Sequence, residues 1–235
     1  MRWCEPKNRE RGAVYVEFLI VVFPMLFLMF GLAHIGFAYT AHLLVGHATA
    51  RAARAAIVIL PDETDEYAGV ALNRIGTDGE GLEAYKNAPE DGRYDQIRMA
   101  ARITLSPLSP AIESYVGDSL ADAIGDHPGV STLAGLIGPW TDQGVALTFP
   151  DGNGGYLTEF SPRQDITVRI TYLYKCSVPI VRSLVCRSYS DLDDRAKKEL
   201  EAMGAKKLLG LADFILGWRY LAITEERTLP NQGKS

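Results

Sequence analysis

One carboxylate, Glu17, stands inside a long apolar stretch. The segment from Arg9 to Tyr39 reads RERGAVYVEFLIVVFPMLFLMFGLAHIGFAY, and from Phe18 to Ala33 it holds no ionisable side chain. An acid in such a helix costs a few kcal/mol in a membrane unless it reaches the headgroups or finds a partner. Two readings follow. Glu17 is an interfacial acid tolerated near the cytoplasmic end, or it needs a cation, such as the free N-terminal amine of a neighbouring helix.

Elsewhere the candidate groups are sparse. The cysteines are Cys4, Cys176 and Cys186, and the histidines are His34, His42, His47 and His127. Cys176 and Cys186 are either a disulfide or two buried thiols. Their spacing, with no partnering histidine, argues against zinc. The histidines fit no HExxH pattern and read as polar decoration of a helix just above a membrane. Asp151-Gly-Asn-Gly-Gly155 lacks the further ligands and closing Glu of a calcium loop, so it reads as a hairpin turn. The acids of 62–66 read as a solvated loop. Ser177, Ser183 and Ser188 have no nucleophile-elbow setting. Gly152, Gly154 and Gly155 follow no βαβ pattern, so nucleotide binding has no support. The expectation is a protein that is not an enzyme, with no cofactor and no metal.

The elements that must carry these residues begin with a helix. The apolar run exceeds the roughly 20 residues that cross a hydrocarbon core. Basic residues crowd its N-terminal side, which places that end in the cytoplasm and the rest outside. The Ala-rich stretch Thr40–Leu60 continues the helix to Pro61, for a length of roughly 70 Å. Leu43, Leu44, Ala48, Ala52, Ala55 and Ile59 are expected to pack on the remainder, with Arg51 and Arg54 outward. Pro24 is expected to kink the helix.

Further on, short helices are expected at Ala68–Ile75, Tyr94–Ile103 and Ile112–Ile124, and a loop at Gly129–Pro139. Strands are expected at Val145–Phe149, Tyr156–Phe160, Gln164–Tyr174 and Trp218–Glu225. In the third, Ile166, Val168, Ile170 and Tyr172 face a core, and Thr167, Arg169 and Thr171 face solvent. An exposed helix is expected over Asp191–Leu209, with Glu199 on its solvated surface and Lys206 and Lys207 at its end. The fold class is α+β: a long N-terminal transmembrane spine helix packed on a small, mainly antiparallel sheet, with extra helices.

Gly12-Ala13-Val14-Tyr15-Val16-Glu17-Phe18 resembles the prepilin processing motif of Flp-type and TadE/TadF-type pseudopilins. Pro24 and the LFLMFG run beyond it also resemble the TadE pattern, as does the tail TLPNQG. The resemblance implies cleavage between Gly12 and Ala13 by a prepilin peptidase. Glu17 then becomes the fifth mature residue, followed by Phe18, and neutralises a neighbour's terminal amine during assembly. It implies a pilin-like layout: leader 1–12, transmembrane spine 13–39, outer spine 40–60 and a periplasmic domain 61–235. It also implies partners: prepilin peptidase, other pseudopilins, the major Flp-type pilin, the inner-membrane platform and membrane lipid. Loss of residues 1–12 removes Cys4, leaves Cys176 and Cys186 in an oxidising compartment that favours a bridge, and takes the net charge from −5 to −7. That balance argues against nucleic-acid binding.

The function so implied is that of a TadE-like minor pseudopilin of a tight-adherence (type IVc) pilus. It sits in a bacterial inner membrane with its domain periplasmic, or within an extracellular fibre. The competing readings are a single-pass anchored binding domain that never polymerises, and a membrane-tethered enzyme.

Overall fold

An apolar segment, alanine-rich in its later turns, gives α1, Glu10–Ile59, which continues through Pro24 and through Gly31, Gly36 and Gly46. The structure is a computed structural model that describes residues 10–76, 79–108, 145–176, 178, 184–203 and 219–231, with side chains from Tyr15 onward in α1. The helix expected at Ile112–Ile124, the loop at Gly129–Pro139, Lys206 and Lys207 lie outside these residues. The remaining elements are α2 (Leu82–Lys86), α3 (Arg93–Leu105), β1 (Val145–Thr148), β2 (Asp165–Lys175), α4 (Asp194–Ala202) and β3 (Tyr220–Pro230).

The strands form an antiparallel sheet in the order β1-β2-β3. Val145 pairs with Tyr172, and Tyr172 with Ile223. α1 packs on β2 and β3, α3 packs along α1, and α4 lies against β1 and β2. The spine thus carries one stripe into the core: Ala41, Val45, Ala48, Ala52, Ala53, Ala56 and Leu60 are buried. These mostly small residues let the sheet's Ile166, Val168, Ile170 and Tyr172 approach closely. Arg51 and Arg54 point outward as expected. Leu43, expected inward, is exposed, and Leu44 is only partly buried. Leu43 and Leu44 are as apolar as the residues that pack, so hydrophobicity alone does not mark the buried stripe. The close fit of alanines does.

Other expectations need correction. Residues 68–75 form turns, because Ala68, Gly69 and Asn73 all have positive φ (50°, 74° and 54°), which no right-handed helix accommodates. Residues 156–160 make isolated bridges, Tyr156 with Pro150 and Glu159 with Arg74. The segment is held between the Phe149 carbonyl (2.7 Å from Leu157 N) and the Asn73 carbonyl (2.9 Å from Phe160 N). Before it, Asp151 accepts hydrogen bonds from the backbone of Asn153 and Gly155, the local capping of a tight turn.

β2 is not half-solvated. Arg169 and Thr171 on its second face are buried, covered by α4. Glu199, expected in solvent, is 1% exposed there. Its Oε1 accepts from Arg169 Nη1 and from the Tyr156 hydroxyl, each at 3.0 Å, and its Oε2 from Thr171 Oγ1 at 2.7 Å. Beside this network Ala146, Leu173, Leu200 and Tyr220 form a second apolar cluster. The expected long helix is shorter, opening after a 3-10 turn with Asp193 as its N-cap, the side chain accepting from Arg195 N.

The first core is rich in tyrosine. Tyr94 donates to the Leu147 carbonyl at 2.8 Å, and Tyr85 donates to the Leu157 carbonyl while accepting from Phe149 N. Burial pushes the phenols of Tyr85, Tyr94 and Tyr172 above their ordinary range. A raised phenol favours the neutral form in the folded state. Its stabilisation is complete below the unfolded value near 10 and is lost as pH rises beyond it. Each such tyrosine contributes a slope of up to about 1.4 kcal/mol per pH unit. The denaturant midpoint of the full chain in detergent is therefore expected to fall steeply above about pH 10. Tyr94→Phe should flatten that fall; an unchanged slope counts against this account.

Candidate functional site

Two regions carry the chemistry anticipated from the sequence. The first is the N-terminal half of α1. Tyr15, Val16, Phe18, Leu19, Ile20, Val21, Phe23 and Met25 are all well exposed, as are Leu28, Leu32 and Ile35. A surface this apolar is stable against lipid or other apolar helices, and not against water. Among the described residues α1 is the one helix long and apolar enough to cross a membrane. Glu17 is exposed on it. Gly12 and Ala13 lie in its first turn, since the helix begins at Glu10.

Contact with the rest of the chain starts late. Phe30 and Gly31 are partly covered, and His34 is the first fully buried residue of the spine. The domain therefore grips the helix from about its midpoint onward and leaves the earlier turns bare. Residues 12–54 match the family model described as TadE-like protein. That segment is TadE-like. That match begins at Gly12, ends at Arg54 and lies wholly within α1, less than a fifth of the chain. The bare apolar face, Glu17 and the buried stripe as far as Ala53 fall inside the TadE-like segment, and Ala56 and Leu60 lie beyond it. No curated protein and no solved structure matches the chain.

The second region lies where the TadE-like helix meets the sheet. Cys176 follows β2, its N–H bonded to the Arg219 carbonyl at 3.0 Å. Cys186 precedes Arg187, which bridges to Tyr220 at the start of β3. The two cysteines are joined as a disulfide with a Cα–Cα distance of 6.5 Å. His34 sits against it, with Nε2 at 3.5 Å from Cys186 Sγ and the ring tilted over Tyr174 at 6.0 Å between centroids. The expectation that no histidine partners these cysteines is therefore overturned, and so is the reading of His34 as surface decoration. Neither is visible in spacing, because His34 and Cys186 are 152 residues apart. One signal was available: a histidine breaking an apolar run needs a polar neighbour, and none is close in sequence.

His42 is different. It stays exposed, with Nδ1 at 3.2 Å from the Glu225 carboxylate on β3, a contact at the surface that contributes little. His47 is exposed.

Proposed function

We propose that this chain is a minor pseudopilin of a tight-adherence (type IVc) pilus, structural rather than catalytic. The precursor enters the bacterial inner membrane with its N-terminus cytoplasmic. A prepilin peptidase cuts between Gly12 and Ala13. The bared apolar helix then packs among other pseudopilins and the major Flp-type pilin at the membrane platform, and the outer domain stays periplasmic or enters the fibre. Glu17 takes the N-terminal amine of a neighbouring helix. Each charge alone is costly in an apolar bundle, so the pair fixes register.

The observation that carries this reading is the coincidence of the family match with the exposed half of α1. The matched segment starts at the glycine of the processing motif, and the residues that follow are apolar yet uncovered by the chain itself. A helix that served only as an anchor would need neither the glycine nor the acid.

Mass spectrometry of the envelope form tests it. The expected mature N-terminus is Ala13, and Gly12→Trp should leave the precursor mass in place. Glu17→Gln should be processed normally but recovered far less in sheared fibre fractions. A working form that retains Met1 would instead favour the anchored, unpolymerised domain.

A further inference from the structure

His34, Cys176 and Cys186 are 1%, 3% and 5% exposed. Their ligand atoms, one imidazole nitrogen and two sulfurs, all lie within 4.8 Å of one another. His34 Nε2 faces Cys186 Sγ at 3.5 Å, and Nδ1 is buried with no hydrogen-bond partner. A buried imidazole ordinarily has a carbonyl, carboxylate or water to bond. Here the sulfurs are what it meets.

We propose that, when the disulfide is reduced, His34, Cys176 and Cys186 form a three-ligand site for a thiophilic divalent cation, Zn2+. Zinc takes thiolate at about 2.3 Å and imidazole at about 2.0 Å in a tetrahedron, so the S···N edge is about 3.5 Å. The Nε2–Sγ separation already has that length. The S···S edge is about 3.8 Å, so the sulfurs must part on reduction. The Cα atoms, 6.5 Å apart, stand toward the wide end of the range that a disulfide spans, and side-chain rotation is enough to part them. Three protein ligands leave the fourth position to water.

The reductant is a dithiol. It passes two electrons and two protons to the disulfide, gives two protein thiols and leaves as a cyclic disulfide. Zinc then displaces the two thiol protons to solvent as the thiolates bind. The spine would be clamped to the sheet in either state, by packing against the disulfide when oxidised and by a metal bond when reduced. This inference is independent of the assembly reading above, since it uses only contacts within the chain.

The test uses the full chain in detergent micelles, reduced with dithiothreitol, desalted without oxygen and titrated with Zn2+ alone against a chromophoric chelator. Co2+ serves as the spectroscopic probe. The reduced chain is expected to bind one Zn2+ and the oxidised chain none. Co2+ should give thiolate charge-transfer bands in the reduced chain. His34→Gln should weaken Zn2+ by at least about tenfold, and Cys176→Ser should abolish the charge-transfer pair. Two results overturn the proposal. One is Zn2+ binding by the reduced chain no stronger than by Cys176→Ser. The other is His34→Gln binding as tightly as the unaltered chain, which would mean that the thiols act alone in an opened loop.

Discussion

Arg93→Ala is expected to cost about 3 kcal/mol or more of stability, through the end of the spine helix. α1 has no basic residue in its last turn, so its final carbonyls and the negative end of its dipole need a cation from elsewhere. Arg93 supplies it from the first turn of α3. Its guanidinium is fully buried, donates to the Ile59 carbonyl, to the Asp62 carbonyl at 2.8 Å and to the Val70 carbonyl at 3.4 Å, and lies 4.5 Å over the ring of Tyr67. Burial lowers its pKa somewhat, but a guanidinium keeps its charge through the physiological range. Truncation removes the charged donor from three carbonyls, of which Ile59 O keeps a bond from Asp62 N at 3.3 Å, and leaves a cavity. Arg93→Lys should recover only part of the loss, since a point-charge amine cannot span three acceptors as a planar fork does. Denaturation of the full chain in detergent, followed by near-ultraviolet tyrosine dichroism, reads both. A loss below about 1 kcal/mol for Arg93→Ala would refute this account of the helix end.

The second large effect is expected at Glu199. Its carboxylate holds Arg169, Thr171 and Tyr156 together, with Arg195 Nε at 3.8 Å. Arg169 in turn holds Glu226, its cross-strand partner on β3. Burial opposes the charge on Arg169, but the bonds to Glu226 and Glu199 outweigh it and raise its pKa. Glu199→Ala removes the inner partner of a buried cation and should cost about 3–5 kcal/mol. Replacing both partners by leucine should cost clearly less than the sum of the single changes, because an apolar pair carries no desolvation penalty. A double-mutant cycle measures the difference. Simple additivity would mean that the two groups do not act as a pair.

The parts of this molecule that could be read from sequence are those whose signal is local. The apolar run, Pro61 beyond its end and the alternation of β2 each lie within one segment, and the structure has α1 and β2 where they point. The faces were harder. Thr171 and Arg169 look like the wet side of a strand until α4 is known to cover them. Glu199 looks like one of several surface acids until its three donors arrive from β2 and the Tyr156 segment. His34 is the sharpest case. Its neighbours along the helix say membrane, and only the end of β2 and the bridge of Arg187 to Tyr220 bring the sulfurs to it. Turn residues with positive φ, such as Ala68, were missed because alanine gives no warning of that conformation.

One consequence of the unbroken α1 concerns how the outer domain is aimed. The bare turns that carry Glu17 and the turns that the sheet grips from His34 onward belong to one continuous helix, with Pro24 inside it and no hinge loop between them. The azimuth of the domain is therefore geared to the azimuth of Glu17. An alanine inserted between Leu26 and Phe27 would swing the domain by about 100° and lift it by about 1.5 Å, changing which flank it presents to its neighbours while every contact inside it stays the same.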